Sequence, residues 1–460
     1  MTVVRWTSAT GLLLVLGGCA SVDPTQDYER TEDEVTAATG ADALYRPGEE
    51  ERARERVAQL LEDGLTSEEA VQIALLNNSG LQELLFEIGV SRADAVQAGL
   101  LSNPSLQAVV RFPLDSGNTS TEGGLLFNLI ELWHLPARTR VAESLVERTV
   151  LEVAHRAVLV ASQAKSAYFT ALTANSAATV SMENLATARE FLELTIERQD
   201  AGAATQVDVN AARSTHLEQQ VLVREAEFAA QDSRRQLIVV LGLAMSAEEV
   251  ALVDPLQAPP ERSVDLERLL ATARLHRLDL RAAEIAAEAA EDAIALERGP
   301  LVRNGRGGLG FESEGSDLAL GPAVNLSLPI LDQNQAQIAK AEFRYGQAVR
   351  RLTGLSAQIE QQVRGAYECY DMAQDTLQLY QAEMLPLREA SLDLARESFA
   401  EGKTGFLSVL EAQDRLLATR REFVSRLDAV LSSLAELEAV CGRPLHVILE
   451  AEATSEGHDD

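Results

Sequence analysis

The sequence predicts a mainly α chain with a small β portion, built as two tandem repeats. Each repeat holds two short helices, two strands and a long coiled-coil helical hairpin. Three observations predict this. First, the composition is that of long helices: Ala and Leu with Glu, Arg and Gln dominate, and aromatic residues are only 4%. Second, segments of the first half recur in the second at a near-constant offset. Third, apolar residues near the C-terminal end recur every seventh position.

The offset organises the chain, and repeats are sought before local structure. Leu65-Thr66-Ser67-Glu68-Glu69-Ala70 aligns with Val264-Asp265-Leu266-Glu267-Arg268-Leu269, a shift of 199. The same shift carries Ala142-Glu143 onto Ala341-Glu342 and Ala167-Tyr168 onto Ala366-Tyr367. One residue more carries Gly202 onto Gly402 and Gly242 onto Gly442. Repeat 1 is therefore 64–253 and repeat 2 is 264–443. Pro255, Pro259 and Pro260 mark 254–263 as the linker, and an acidic tail follows at 444–460.

Within each repeat the elements follow one order. Two short helices are predicted near 67–77 and 80–101, matched by 265–276 and 279–297. Asn103-Pro104 ends the first pair, because the residue before proline avoids the helical region. Strands follow at about 105–113 and 123–133, and at about 302–312 and 322–331. The last alternates most cleanly: Val324, Leu326, Leu328 and Ile330 on one face, Asn325 and Ser327 on the other. Each strand has close to the ~9–11 residues that a tilted membrane strand needs.

The hairpins are predicted at about 137–241, turning at Ala201-Gly202, and about 333–441, turning at Glu401-Gly402. Leu410, Leu417, Val424 and Leu431 form one seven-residue series; Leu416, Phe423, Val430 and Leu437 form another. Such spacing indicates coiled-coil packing. Pro386 is expected to bend the second long helix or divide it.

The N-terminus reads differently. Arg5 precedes the short apolar run Leu12–Leu16, and Leu16-Gly17-Gly18-Cys19 matches the lipobox of bacterial lipoproteins. Residues 1–18 are then a signal peptide, Cys19 carries the covalent lipid, and 19–63 is a lipid-linked segment. Cleavage removes Arg5 and no acid, so the mature charge is 39 minus 71, or −32. Ala20 after the cysteine favours sorting to the outer membrane, by resemblance to lipoproteins. No other run approaches the ~18 apolar residues of a transmembrane helix, so any crossing must be a barrel.

Charge and motifs exclude several classes. A formal net charge of −31 argues against a nucleic-acid partner, since phosphate backbones require Lys and Arg. Gly305 to Gly310 satisfies GxGxxG, but charged Glu297-Arg298 and Pro300 stand where a dinucleotide site needs a hydrophobic strand. The six histidines are scattered, no catalytic constellation emerges, and no metal site or cofactor is indicated. Cys369 and Cys441 read as two buried free thiols.

Together these features resemble the outer membrane efflux protein family, also called the TolC family. The resemblance is carried by "GLTSEEAVQIALLNNSGL" at 64–81, "QAGLLSNPSL" at 97–106, "VNLSLPILDQNQAQIAKAE" at 324–342, and the turns "AGAATQVDV" and "EGKTGFLSVLEAQ". It implies a homotrimer whose twelve strands form a membrane barrel continued by an α-helical tube. Geometry agrees: eight strands from two chains would fill their own barrel, and twelve leave a lumen. The implied function is the outer-membrane exit channel of a tripartite efflux system. Its partners would be a periplasmic adaptor (a membrane fusion protein) and an inner-membrane pump of resistance-nodulation-division type. The alternatives are a lipid-anchored adaptor, which should have one hairpin in a β-rich domain where this chain has two hairpins and four strands, or a structural coiled-coil lipoprotein with no pore.

By the same resemblance the hairpin turns form the periplasmic tip. Asp208 and Glu411 match acidic gate positions. Ser408 departs from a common Asp, Phe399 lacks a tyrosine hydroxyl, and Thr404 stands where an arginine can bridge helices. Gly202, Thr205, Val207, Gly402, Gly405 and Leu407 are the implied turn and adaptor-docking residues. The cargo is not encoded legibly, although Met and His clusters for soft metals are absent.

Overall fold

The computed structural model describes residues 20–115, 118–246, 249–259, 265–299, 305–314 and 317–449. Cys19, the signal peptide and residues 450–460 lie outside the described residues. The chain forms two compact units. Unit one takes residues up to 27, 87–147 and 285–347; unit two takes 28–86, 148–284 and 348 onward. The elements are α1 Thr25–Thr39, α2 Glu50–Leu60, α3 Ser67–Asn77, α4 Ser79–Gly99, β1 Ser105–Arg111, β2 Ser120–Asn128, α5 Glu131–Asp200, α6 Gln206–Leu241, α7 Leu266–His276 and α8 Leu278–Glu297. They continue with β3 Gly305–Glu314, β4 Asp317–Leu326, α9 Gln335–Leu379, a π-helical turn Tyr380–Met384, α10 Leu385–Ala400 and α11 Phe406–Cys441.

Unit one is organised by one antiparallel sheet of order β1-β2-β3-β4. The strand bounds differ from those expected. β1 ends at Arg111, not 113; β2 runs 120–128, not 123–133; β3 runs to Glu314; β4 runs 317–326, not 322–331. Apolar alternation marks a face, whereas a strand's ends are set by its ladder partners. Ser120 to Glu122 are polar but pair with Arg111 to Val109. Among the described residues Leu326 is the last of β4 and pairs with Gly305. The apolar run 129–133 instead enters α5, whose first residue Glu131 accepts bonds from Ser102 N (2.8 Å) and Asn128 Nδ2 (2.9 Å).

Unit two is helical. α5 has 70 residues, about 105 Å at ~1.5 Å per residue. Both predicted seven-residue series of α11 lie inward: Leu410, Leu417, Val424, Leu431, Leu416, Val430 and Leu437 are buried, and Phe423 packs against the core. The π turn stands directly before Pro386, and Leu385 N donates to Tyr380 O. Widening the turn accommodates a residue that has no N–H to donate. It also adds one residue to the heptad. Val363, Tyr370 and Leu377 are spaced by seven, the next inward position, Leu392, comes fifteen later, and all four are buried.

Two joints have the same construction. Asn78 and Arg277 end α3 and α7 with near-identical backbones, φ −67, ψ 114 and φ −65, ψ 116. Asn78 Nδ2 donates to Val240 O at 2.8 Å, and Arg277 Nη1 to Val440 O at 3.3 Å. Gly242 and Gly442 end α6 and α11 at φ 67 and 70. A Cβ on Gly242 would lie 2.4 Å from Asn77 O, so close approach and positive φ both require glycine there.

Three expectations are corrected. Residues 19–63, read as a lipid-linked segment with no elements assigned, contain α1 and α2 within the described 20–63, with Tyr28, Val35, Val57 and Leu60 buried. Their signal was masked because α1 buries polar groups. Asp27 is 1% exposed and is gripped by Arg92 Nε (2.6 Å) and Nη2 (2.7 Å). The same Arg92 reaches Glu143 at 2.8 Å. The tail does not begin at 444: Leu445 and Ile448 are buried beside Leu269, Val363 and Leu437, and Glu438 accepts Leu445 N at 3.0 Å. Of the two cysteines among the described residues, Cys441 is buried. Cys369 is exposed, on the outward side of α9.

Candidate functional site: sheet faces and hairpin turns

Successive side chains of a strand point to opposite faces, and the register then sorts the whole sheet. One face carries Leu106 and Val110, Leu125 and Phe127, Leu309 and Phe311, and Leu318, Leu320, Val324 and Leu326. These side chains are exposed, and no charge interrupts them. The other face carries Gln107, Arg111, Glu122, Asn128, Arg306, Glu312, Glu314, Asp317 and Asn325. Arg111 and Glu122 pair there at 2.9 Å. Gly305 to Gly310, the GxGxxG match, are the first residues of β3. Such a sheet suits a boundary between hydrocarbon and water.

In unit two the hairpin turns are built alike. Gly202 and Gly402 adopt φ 76 and 75. Ala203 N donates to Arg198 O at 2.7 Å, and Lys403 N to Ser398 O at 2.8 Å, closing each helix by the same six-residue bond. The helices that follow start differently. Thr205 Oγ1 accepts from Asp208 N (3.3 Å), while Asp208 Oδ2 accepts from Thr205 N (2.8 Å). α11 starts at Gly405 with no side-chain cap, and Ser408 is exposed where Asp208 stands in the first hairpin.

The predicted gate residues are thus placed as follows. Asp208 is occupied as a capping carboxylate. Glu411 is exposed and pairs with Arg415 one turn along its own helix. Thr404 is exposed, with its N–H on Ser398 O at 3.4 Å. Val207 and Leu407 are exposed apolar residues at equivalent positions. Phe399 is the residue the fold uses most. The Arg198 guanidinium lies 4.2 Å from its ring centre, and Phe399 meets Phe406 edge-on at 6.0 Å. Phe406 stacks on Phe191 at 5.1 Å. This cluster joins α5 of the first hairpin to α10 and α11 of the second. Sequence reading missed Arg198, Phe191 and Phe406. The available signal was three phenylalanines within about three turns of the paired glycines, in a chain with only 11.

Further along the hairpins stands Asp414, on α11. Burial, then the nearby Glu218 carboxylate, holds its own carboxyl above the usual range. Among the described residues no cluster of His, Cys, Asp and Glu could hold a metal, and no helix is long and apolar enough to cross a membrane.

The family model for outer membrane efflux proteins matches residues 70–243 and again 269–443. The chain belongs to the outer membrane efflux protein family. As an outer membrane efflux protein it is a member of a family of channel proteins, and outer-membrane efflux is its function. Solved structures share its fold. CusC, described through channel formation, matches with TM-score 0.69 at 18% identity, over 82% of this chain and 92% of that one. VceC from Vibrio cholerae matches with TM-score 0.67 at 18% identity, over 85% and 98%. The open state of the MtrE channel from Neisseria gonorrhoeae matches with TM-score 0.65 at 17% identity, over 82% and 88%. Among curated protein sequences, none matches the chain significantly.

Proposed function

We propose that three copies of this outer membrane efflux protein join their sheets edge to edge into one twelve-stranded barrel, which serves as the passive exit duct of a tripartite efflux system. The partition of the sheet into an uncharged apolar face and a charged polar face carries this reading. Lipid would meet the first face and a water-filled lumen the second. Among the described residues the outer edges of β1 and β4 are unpaired within one chain. An open edge in hydrocarbon would leave backbone groups unsatisfied, so closure by further copies is favoured.

The matching joints at Asn78 and Arg277, and the matching turns at Gly202 and Gly402, support an internal duplication in which each half supplies two strands and one hairpin. The turns are the proposed docking end. Exposed Val207 and Leu407 would meet a periplasmic adaptor, which passes cargo from an inner-membrane pump of resistance-nodulation-division type. Cys19 is the proposed lipid attachment point. Cross-linking of the protein in detergent tests the assembly. A ladder ending at three chains supports it, and one ending at one or two chains contradicts it.

A further inference from the structure

We propose that unit one carries, beside the sheet end that leads into α5 and α9, a collar that binds the headgroups of anionic phospholipids. The proposal rests on the reading that the sheet's apolar face meets lipid. That face does not stop at the strand ends. Leu129 and Ile130 lie over Gly307 and Gly305, both on the apolar face, where a Cβ would come within 2.8 and 2.4 Å of their side chains. Exposed Trp133, 73% accessible, follows on the first turns of α5. Exposed Leu328, Ile330 and Leu331 follow β4 in the same way.

Beyond this apolar band come cations. Arg140 stands seven residues after Trp133, on the same side of α5 and about 10 Å further along it. On α9, Lys340 and Arg344 flank Phe343, which is 76% exposed. All three cations are exposed, and none has an ion pair or hydrogen bond among the described residues. Of the neighbouring carboxylates one is neutralised by an ion pair and two accept bonds from uncharged groups. Glu131 holds Ser102 and Asn128, Asp332 accepts Asn334 N at 2.9 Å, and Glu342 is taken by Arg298 at 2.5 Å. In a chain of net charge −31, three unpaired cations next to an apolar band present a positive surface. The order apolar face, aromatic belt, cations is the order of hydrocarbon, interface and phosphate in a bilayer leaflet.

The test uses the assembled full chain in vesicles of phosphatidylcholine mixed with phosphatidylglycerol of the same acyl chains. Lipid retained on extraction is measured by native mass spectrometry. The expected result is at least about fivefold preference for phosphatidylglycerol, falling toward one as salt rises toward ~1 M. Arg140→Gln, Lys340→Gln and Arg344→Gln together should abolish the preference, and exchanging Arg and Lys at these positions should keep it. Once residues 1–18 are cleaved, Trp133 is the single tryptophan of the chain and should be quenched by lipids brominated near the headgroup. Equal retention of both lipids by the unaltered chain overturns the proposal without touching the channel reading, provided the same sample conducts. Loss of the trimer in the triple Gln variant, with the lipid preference unchanged, also overturns it and assigns these cations to contacts between copies.

Discussion

The Arg198 guanidinium caps the Phe399 ring at 4.2 Å, and this contact joins the last turn of α5 to the last turn of α10. The position expected to lack a gate bond, because it has no tyrosine hydroxyl, therefore has another partner. A cation over an aromatic face contributes about 0.5–1 kcal/mol at an exposed site. Arg198→Gln and Phe399→Leu should each speed amide exchange about two- to fivefold in peptides covering 196–205 and 396–405. Unchanged exchange in both variants would refute a joining role.

The two hairpins should respond oppositely to capping changes. Thr205→Ala removes a reciprocal pair of bonds and should cost about 1 kcal/mol. Gly405 has φ −81 and ψ 161, which any residue adopts. Gly405→Thr with Ser408→Asp should therefore build the missing cap and contribute about 1 kcal/mol. Thermal unfolding of the unaltered chain and these two variants decides it. A destabilised double variant would mean that α11 starts open for a reason outside capping.

Asp414 sets a pH dependence. Its folded carboxyl binds a proton more readily than the unfolded one, because burial and Glu218 disfavour its charge. Its stabilising form is thus fully present below the unfolded value of 3.8 and is lost as pH rises through the raised folded value. Asp414→Asn should raise the melting temperature at pH 7 and leave it nearly unchanged at pH 3.5. A loss of stability at pH 7 would contradict the burial argument.

The two helical cysteines should separate by reactivity. Burial pushes the Cys441 thiol up to about 12, and a thiol rather than a thiolate reacts slowly. Maleimide at pH 7 should label Cys369 in the folded chain and Cys441 only after unfolding. Labelling of Cys441 at the same rate as Cys369 would show that the α11 end opens.

Much of the fold was legible because its signals are periodic. The offset of 199 to 200 pairs Gly202 with Gly402 and Gly242 with Gly442, and each pair shares a left-handed backbone. The heptads of α11 point inward as their spacing requires. The strand ends were not legible, because Ser120-Thr121-Glu122 and Glu314-Asp317 are polar and only their cross-strand partners make them strands. α1 was missed because Asp27 and Thr31 are buried polar residues, and Asp27 is held there by Arg92, distant in sequence. At the turns, spacing located the site but not its chemistry. Asp208 serves its own helix, while Phe399 acquires its role from Arg198 and Phe406, which approach it only in the folded chain.

The central claim is that the apolar and polar faces of the sheet are the lipid and water faces of a conducting barrel. Single-channel recording of the purified protein in planar bilayers tests it most directly. The account predicts discrete, ohmic conductance steps, which fall when Gly124→Arg and Gly310→Arg place bulk on the polar face. Protein that inserts but gives no steps, or steps unaffected by those arginines, would contradict it.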